Sequence, residues 1–122
     1  MGFTFKQIDH VQLAAPRGTE DQARAFFIEG LGFEEVEKPE ALKKNGGVWF
    51  ERGDIQIHIG IEDPFNPARK AHPALEINGL QELMHHLDQQ DIAYQADDKL
   101  PGANRIYVND PFGNRIEILE WT

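Results

Sequence analysis

Four side chains able to hold a metal ion or move a proton recur in two pairs along this chain of 122 residues: His10 with His58, and His72 with Glu117. Imidazole and carboxylate are nitrogen and oxygen donors. The chain has no cysteine, which excludes thiolate zinc sites, iron–sulfur clusters, disulfides and a cysteine nucleophile. Such a donor set suits a divalent ion of borderline to hard character, among them Zn²⁺, Ni²⁺, Co²⁺, Fe²⁺ and Mn²⁺. Four protein ligands leave two octahedral positions for water or a chelating substrate, which is how a catalytic centre differs from a closed structural one. An open metal polarises a carbonyl, stabilises an enediolate or lowers the pKa of bound water. A loosely held Glu117 would then double as general base beside the proton to be removed. The same four side chains also admit a metal-free polar ligand pocket, or a hydrogen-bonded cluster with a structural role only.

For these residues to meet, the chain has to fold as a repeat. Period-two alternation predicts a strand over 3–15, with Val11 and Leu13 on one face and His10, Gln12 and Ala14 on the other. Thr19 and Gln22 form a capping box, and Ala23, Phe26, Phe27 and Leu31 recur at helical spacing. Short strands follow at 33–36, 48–51 and 54–61, separated by the loop 39–47 and the Arg52-Gly53 turn. The order then starts again: a strand over 72–77, a helix capped by Asn78 with Leu80, Leu83, Met84 and Leu87 on its buried face, and strands at 92–95, 105–109 and 115–121. Aligning His10 on His72 brings Leu13 onto Leu75. Aligning His58 on Glu117 brings Ile57 and Ile59 onto Ile116 and Ile118. The expected fold is α+β: one domain over 1–122 built of two βαβββ modules, about 3–62 and 70–122, in pseudo-twofold repeat. A curved mixed sheet would enclose a cavity, with helices covering its convex face. The aliphatic rows face the helices, so His10, His58, His72 and Glu117 face the cavity.

Four further side chains are expected on the cavity walls: Arg105 and Tyr107 from the seventh strand, Phe50 and Arg52 from the third. Trp121, on the face of Glu117, would wall the pocket or pack at a dimer seam. The alternative for Arg105 is a cross-strand pair with Glu76 or Glu117. His85 and His86 sit on the second helix and read as surface residues, and Gly46-Gly47 precedes a strand, so it is no phosphate loop. A formal net charge of −9, with no basic stripe, disfavours nucleic acid. No apolar run is long enough to cross a membrane, and the start MGFTFKQID lacks a signal-peptide pattern, so the expected location is cytoplasmic. Open sheet edges predict a homodimer.

Four stretches carry a family resemblance that spans nearly the whole chain: Asp9-His10-Val11, Leu31-Gly32-Phe33, Ala71-His72-Pro73-Ala74, and the run from Asp110-Pro111-Phe112-Gly113-Asn114 through Arg115-Ile116-Glu117. The chain resembles the vicinal oxygen chelate superfamily, the group of glyoxalases, fosfomycin- and bleomycin-resistance proteins and extradiol dioxygenases. The last stretch is the most specific. The resemblance implies that the first-strand histidine, fifth-strand histidine and eighth-strand glutamate bind metal, which falls on His10, His72 and Glu117. Glyoxalase I usually carries a glutamate on the fourth strand, where His58 stands here. Two function classes follow. One is a divalent-metal enzyme of lyase, isomerase or dioxygenase type, acting on a small substrate that chelates through neighbouring oxygens. The other is a metal-free protein that sequesters a small molecule or antibiotic, as bleomycin-resistance members do. Small chains of the superfamily usually pair, so the ligands would come from one chain or from two.

Overall fold

Alternating apolar side chains set the strands of the computed structural model, which describes residues 2–122. β1 (Val11–Ala15), β2 (Glu34–Val36), β3 (Val48–Arg52) and β4 (Ile55–Ile61) form one sheet in the order β1-β4-β3-β2. β5 (Ala74–Glu76), β6 (Tyr94–Asp97), β7 (Ala103–Asn109) and β8 (Arg115–Trp121) form a second in the order β5-β8-β7-β6. The pairs β1–β4 and β5–β8 are parallel and the others antiparallel, so both sheets are mixed and share one topology. The two modules and the α+β class are those expected, and neither sheet closes. Register confirms the internal alignment: Gln12 stands opposite His58 as Ala74 stands opposite Glu117.

Each module lays a helix over the apolar face of its sheet. α1 (Glu20–Arg24) continues into a wider π-helical segment, Ala25–Gly30, and buries Ala23, Phe26 and Phe27. α2 (Leu80–Gln89) buries Leu80 and Leu87. One core runs through both modules, joining Leu13, Phe27, Phe33, Phe50, Ile57 and Ile59 to Leu87, Ile106, Val108, Ile116 and Ile118. Burial of these side chains is the main source of stability. No helix among the described residues is long and apolar enough to cross a membrane.

Local signals differ from expectation at several ends. The first strand begins at Val11 rather than Phe3, and Phe3, Phe5 and Ile8 lie exposed in the segment before it. The fifth begins at Ala74, so His10 and His72 both sit just ahead of their strands. Thr19 does not cap α1 with its side chain; its hydroxyl donates to the Pro16 carbonyl at 2.6 Å. Asn78 does not cap α2 either. Gly79, in the left-handed region at φ 89°, leads into the helix, and the Glu120 carboxylate accepts from the Gly79 and Leu80 N–H groups at 2.9 and 3.1 Å. The loop before β3 holds a 3-10 turn, Glu40–Asn45. It ends at Gly47 (φ 83°), where a Cβ would lie 2.1 Å from the Ile59 carbonyl oxygen, so only glycine fits.

The β7–β8 turn ties the modules together. Asn114 is 1% exposed; its carboxamide donates to the Ala14 carbonyl at 2.7 Å and accepts from the Ala68 N–H at 3.0 Å. Asp110 accepts from the Phe112 and Asn114 N–H groups. Its burial nevertheless pushes the carboxyl above its usual range, against the lowering effect of those bonds.

Candidate functional site

Strand register brings the polar faces together within each module. In the first, Gln12, His58 and Trp49 stand side by side across β1, β4 and β3. The His58 ring lies between two others: Trp49 at 3.8 Å and 4° on one side, His10 at 4.0 Å and 16° on the other. His58 is 5% exposed, and its Nε2 has no hydrogen-bond partner among the described residues. Burial holds its pKa below the ordinary value, and the positive potential of His10 and Lys38 adds to that against an opposing effect of Asp9. The ring is therefore neutral near pH 7 and keeps a lone pair. His10 is more exposed, with Nδ1 2.9 Å from Asp9 Oδ1.

In the second module, His72 Nδ1 lies 2.8 Å from the Lys70 carbonyl oxygen and Nε2 lies 3.0 Å from Glu117 Oε1. Both ring nitrogens thus face acceptors. A carbonyl oxygen can only accept, so Nδ1 carries a proton. The Nε2–Glu117 contact pairs an imidazole nitrogen with a carboxylate oxygen. Glu117, 7% exposed, uses its other oxygen to accept from Arg105 Nη1 at 3.3 Å, and Arg105 also reaches Asp97 at 3.1 Å. Tyr107 stands opposite Glu117, with the Arg115 guanidinium 3.9 Å from its ring centroid, Arg105 at 5.2 Å, and the His72 ring edge-on at 5.7 Å.

The four expected ligands therefore form two pairs, one on each sheet. Among the described residues no three His, Asp or Glu side chains converge closely enough to hold a metal. A cavity of about 590 Å³ at the seam is lined by Asp9 and His10 from one module and His72 and Ala74 from the other. The donor chemistry fits a divalent metal: a buried imidazole with an unpartnered nitrogen, and an imidazole beside a carboxylate. Each pair offers two nitrogen or oxygen donors.

Two expected wall residues lie elsewhere. Phe50 is 0% exposed and stacks on Phe27 at 5.2 Å, so it belongs to the core under α1. Arg52, two residues on, shares that side and donates to the Gly32 carbonyl at 2.6 Å. The polar face of β3, beside His58, belongs instead to Trp49. The signal for it was the apolar alternation of Val48 and Phe50, which assigns Trp49 and Glu51 to the opposite side. Arg105 and Tyr107 do flank Glu117, Arg105 by the cross-strand pairing named above as its alternative. Arg115 joins them over Tyr107. Trp121 ends β8 opposite Ala103 and is 53% exposed. His86 reaches the Glu29 carbonyl across the helices at 2.7 Å, and His85 faces Gln89, both away from the site.

No family model matches the chain, and no curated protein does. Solved structures do. A glyoxalase family protein from Bacillus anthracis is 50% identical over 100% of both chains, with a TM-score of 0.97. A glyoxalase family protein from Enterococcus faecalis is 28% identical, covering 95% of this chain and 98% of that one, at 0.75. The genomically encoded fosfomycin resistance protein of Listeria monocytogenes shares the fold at 16% identity, with 98% and 96% covered and a TM-score of 0.77. Identity at half of all positions over two full-length chains leaves one conclusion about kinship: this chain belongs to the glyoxalase family, within the vicinal oxygen chelate superfamily.

Proposed function

We propose that the chain is a divalent-metal-dependent enzyme of lyase, isomerase or dioxygenase type, acting on a small substrate with neighbouring oxygen donors. The observation that carries this reading is the pair His72–Glu117, an imidazole nitrogen 3.0 Å from a carboxylate oxygen, two donor types that a divalent metal takes together. His10, His72 and Glu117 would hold the metal, with His58 as the fourth ligand. When bound, a Zn²⁺, Ni²⁺, Co²⁺, Fe²⁺ or Mn²⁺ ion supplies Lewis-acid polarisation of the substrate oxygens. The protein's own groups do the rest. Arg105 fixes Glu117 so that one carboxylate oxygen stays aimed at His72, in place to take a proton as general base. Tyr107 and Arg115 line the approach. Because the two pairs lie on separate sheets, a homodimer that sets the first module of one copy against the second module of another would complete the shell.

A metal-free ligand-binding role is the second reading. In its favour, a doubly protonated His72 would satisfy both Lys70 and Glu117 without any metal. Elemental analysis of untagged protein purified without chelator separates the two. The expected result is about one equivalent of metal per site, lost in His72→Ala and Glu117→Gln and kept in His86→Ala. Substoichiometric metal that fails to rebind after dialysis against each of the five ions supports the binding protein instead.

A further inference from the structure

Beside the Trp49–His58–His10 stack, the first module holds a recess of about 620 Å³ that no step above uses. Its charged lining residues are Arg17, Lys38 and Lys44; Gln12, Asn45 and Trp49 add polar and aromatic surface. No carboxylate lines it, in a chain with 21 acidic against 12 basic residues. Three cations around one recess on an acidic protein make a local positive potential that concentrates anions.

One cation is held in place, and all three are largely uncompensated. Lys38 donates to the Gly46 carbonyl, which pins its ammonium at the rim. Lys38 and Lys44 have no ion-pair partner among the described residues, whereas the neighbouring Lys43 is paired with both Glu37 and Glu40. Arg17 is 4.0 Å from Asp63, with both side chains exposed, so little of its charge is cancelled. Space in the floor comes from Gly60. A Cβ there would sit 2.4 Å from the Gln12 carboxamide nitrogen, so the missing side chain lets Gln12 lie across the recess as a neutral donor. Trp49, with one face against His58, lines the wall with the rest of its ring, an apolar flat surface among the charges. The recess has room for one small ligand, with charge on one side and a flat wall on the other.

We propose that this recess binds the carboxylate of a small, flat, unsaturated acid, with Lys38, Lys44 and Arg17 on the anion and Trp49 against the unsaturated part. Gln12 lines both this recess and the cavity that contains His10. Identifying the acid as the enzyme's substrate rests on the function proposed above; binding in the recess does not.

Benzoate is the probe, benzamide its neutral counterpart, and the indole N–H resonances of the two tryptophans the readout, with Trp49→Phe assigning them. In protein stripped of metal, benzoate is expected to move the Trp49 resonance saturably and leave Trp121 in place, with benzamide binding at least tenfold more weakly. Lys38→Gln with Lys44→Gln should reduce benzoate to the benzamide level, and Lys38→Arg with Lys44→Arg should restore it. The single exposed-site variant Lys44→Glu covers the case in which the double variant does not fold, and should weaken benzoate and not benzamide. Equal binding of benzoate and benzamide, unchanged benzoate affinity in the lysine variants, or benzoate binding only in metal-loaded protein would each overturn the proposal. Benzoate binding to a protein that takes up no metal would uphold the recess while refuting the metal reading.

Discussion

His58 and Phe50 have opposite fates one strand apart. Trp49 and His10 stack on the His58 ring and exclude water, so it stays neutral and keeps a nitrogen free. Phe50 points the other way into the core, where it touches Phe27 and is fully covered. Truncating a buried phenylalanine removes its transfer free energy and leaves a cavity. Phe50→Ala is therefore expected to lose about 3 to 5 kcal/mol of unfolding free energy, read from urea midpoints at unchanged slope. Trp49→Ala, on the half-buried polar face, should cost less than that. At this scale the sequence was ambiguous by one residue: Trp49 and Phe50 are adjacent aromatics, and which of them faces the core depends on register. His58, flanked by Ile57 and Ile59, was legible because the isoleucines had only one face on which to be buried.

Between elements, helix capping is done from afar. Glu120 on β8 accepts from the first N–H groups of α2, the role a serine or aspartate usually fills from the neighbouring residue. These bonds favour the ionised carboxylate and hold its pKa below the ordinary 4.5. A depressed folded-state pKa means the unfolded chain binds the proton more readily. The stabilisation is thus complete above about pH 4.5 and lost as pH falls through the folded value. Glu120→Gln is expected to lower the Tm by a few degrees at neutral pH. It should also show a shallower fall in Tm between pH 4.5 and about pH 3 than the parent, measured by calorimetry across that range. No local pattern reveals this cap, since its two halves lie 41 residues apart.

Across the molecule, one contact in the structure ties the modules together, and the proposed dimer would add another. Asn114 bonds from the β7–β8 turn to the Ala14 carbonyl of the first sheet, 100 residues earlier. Asn114→Ala strands half-buried groups on both sides, each costing about 1 to 3 kcal/mol. Chemical denaturation should therefore show a loss of at least about 2 kcal/mol. The second contact is the dimer proposed above. Phe3, Phe5 and Ile8 are 62%, 96% and 78% exposed, a run of large apolar side chains that water alone does not favour. Light scattering is expected to give roughly twice 13.9 kDa, and Phe5→Glu to shift the protein toward monomer. With ligands drawn from two copies, that variant should lose metal as it dissociates; a monomer that keeps its metal would assign the whole shell to one chain.

The repeat, the α+β class and the placing of His58 and Glu117 on the strand faces opposite the isoleucine rows follow from the sequence alone. Each depends on spacing along the chain: period-two alternation, two similar orders of elements, and aliphatic rows that must leave water. The pairing of His10 with His58 and of His72 with Glu117 also follows from that repeat. Tertiary structure decided the rest: that Trp49 rather than Phe50 stacks on His58, that Arg105 is tied to Glu117 and Asp97, that Glu120 caps α2, and that three cations gather around one recess. Those outcomes turn on which side chains meet across strands and between modules. That meeting is set by register and packing over long chain separations, which local periodicity does not encode.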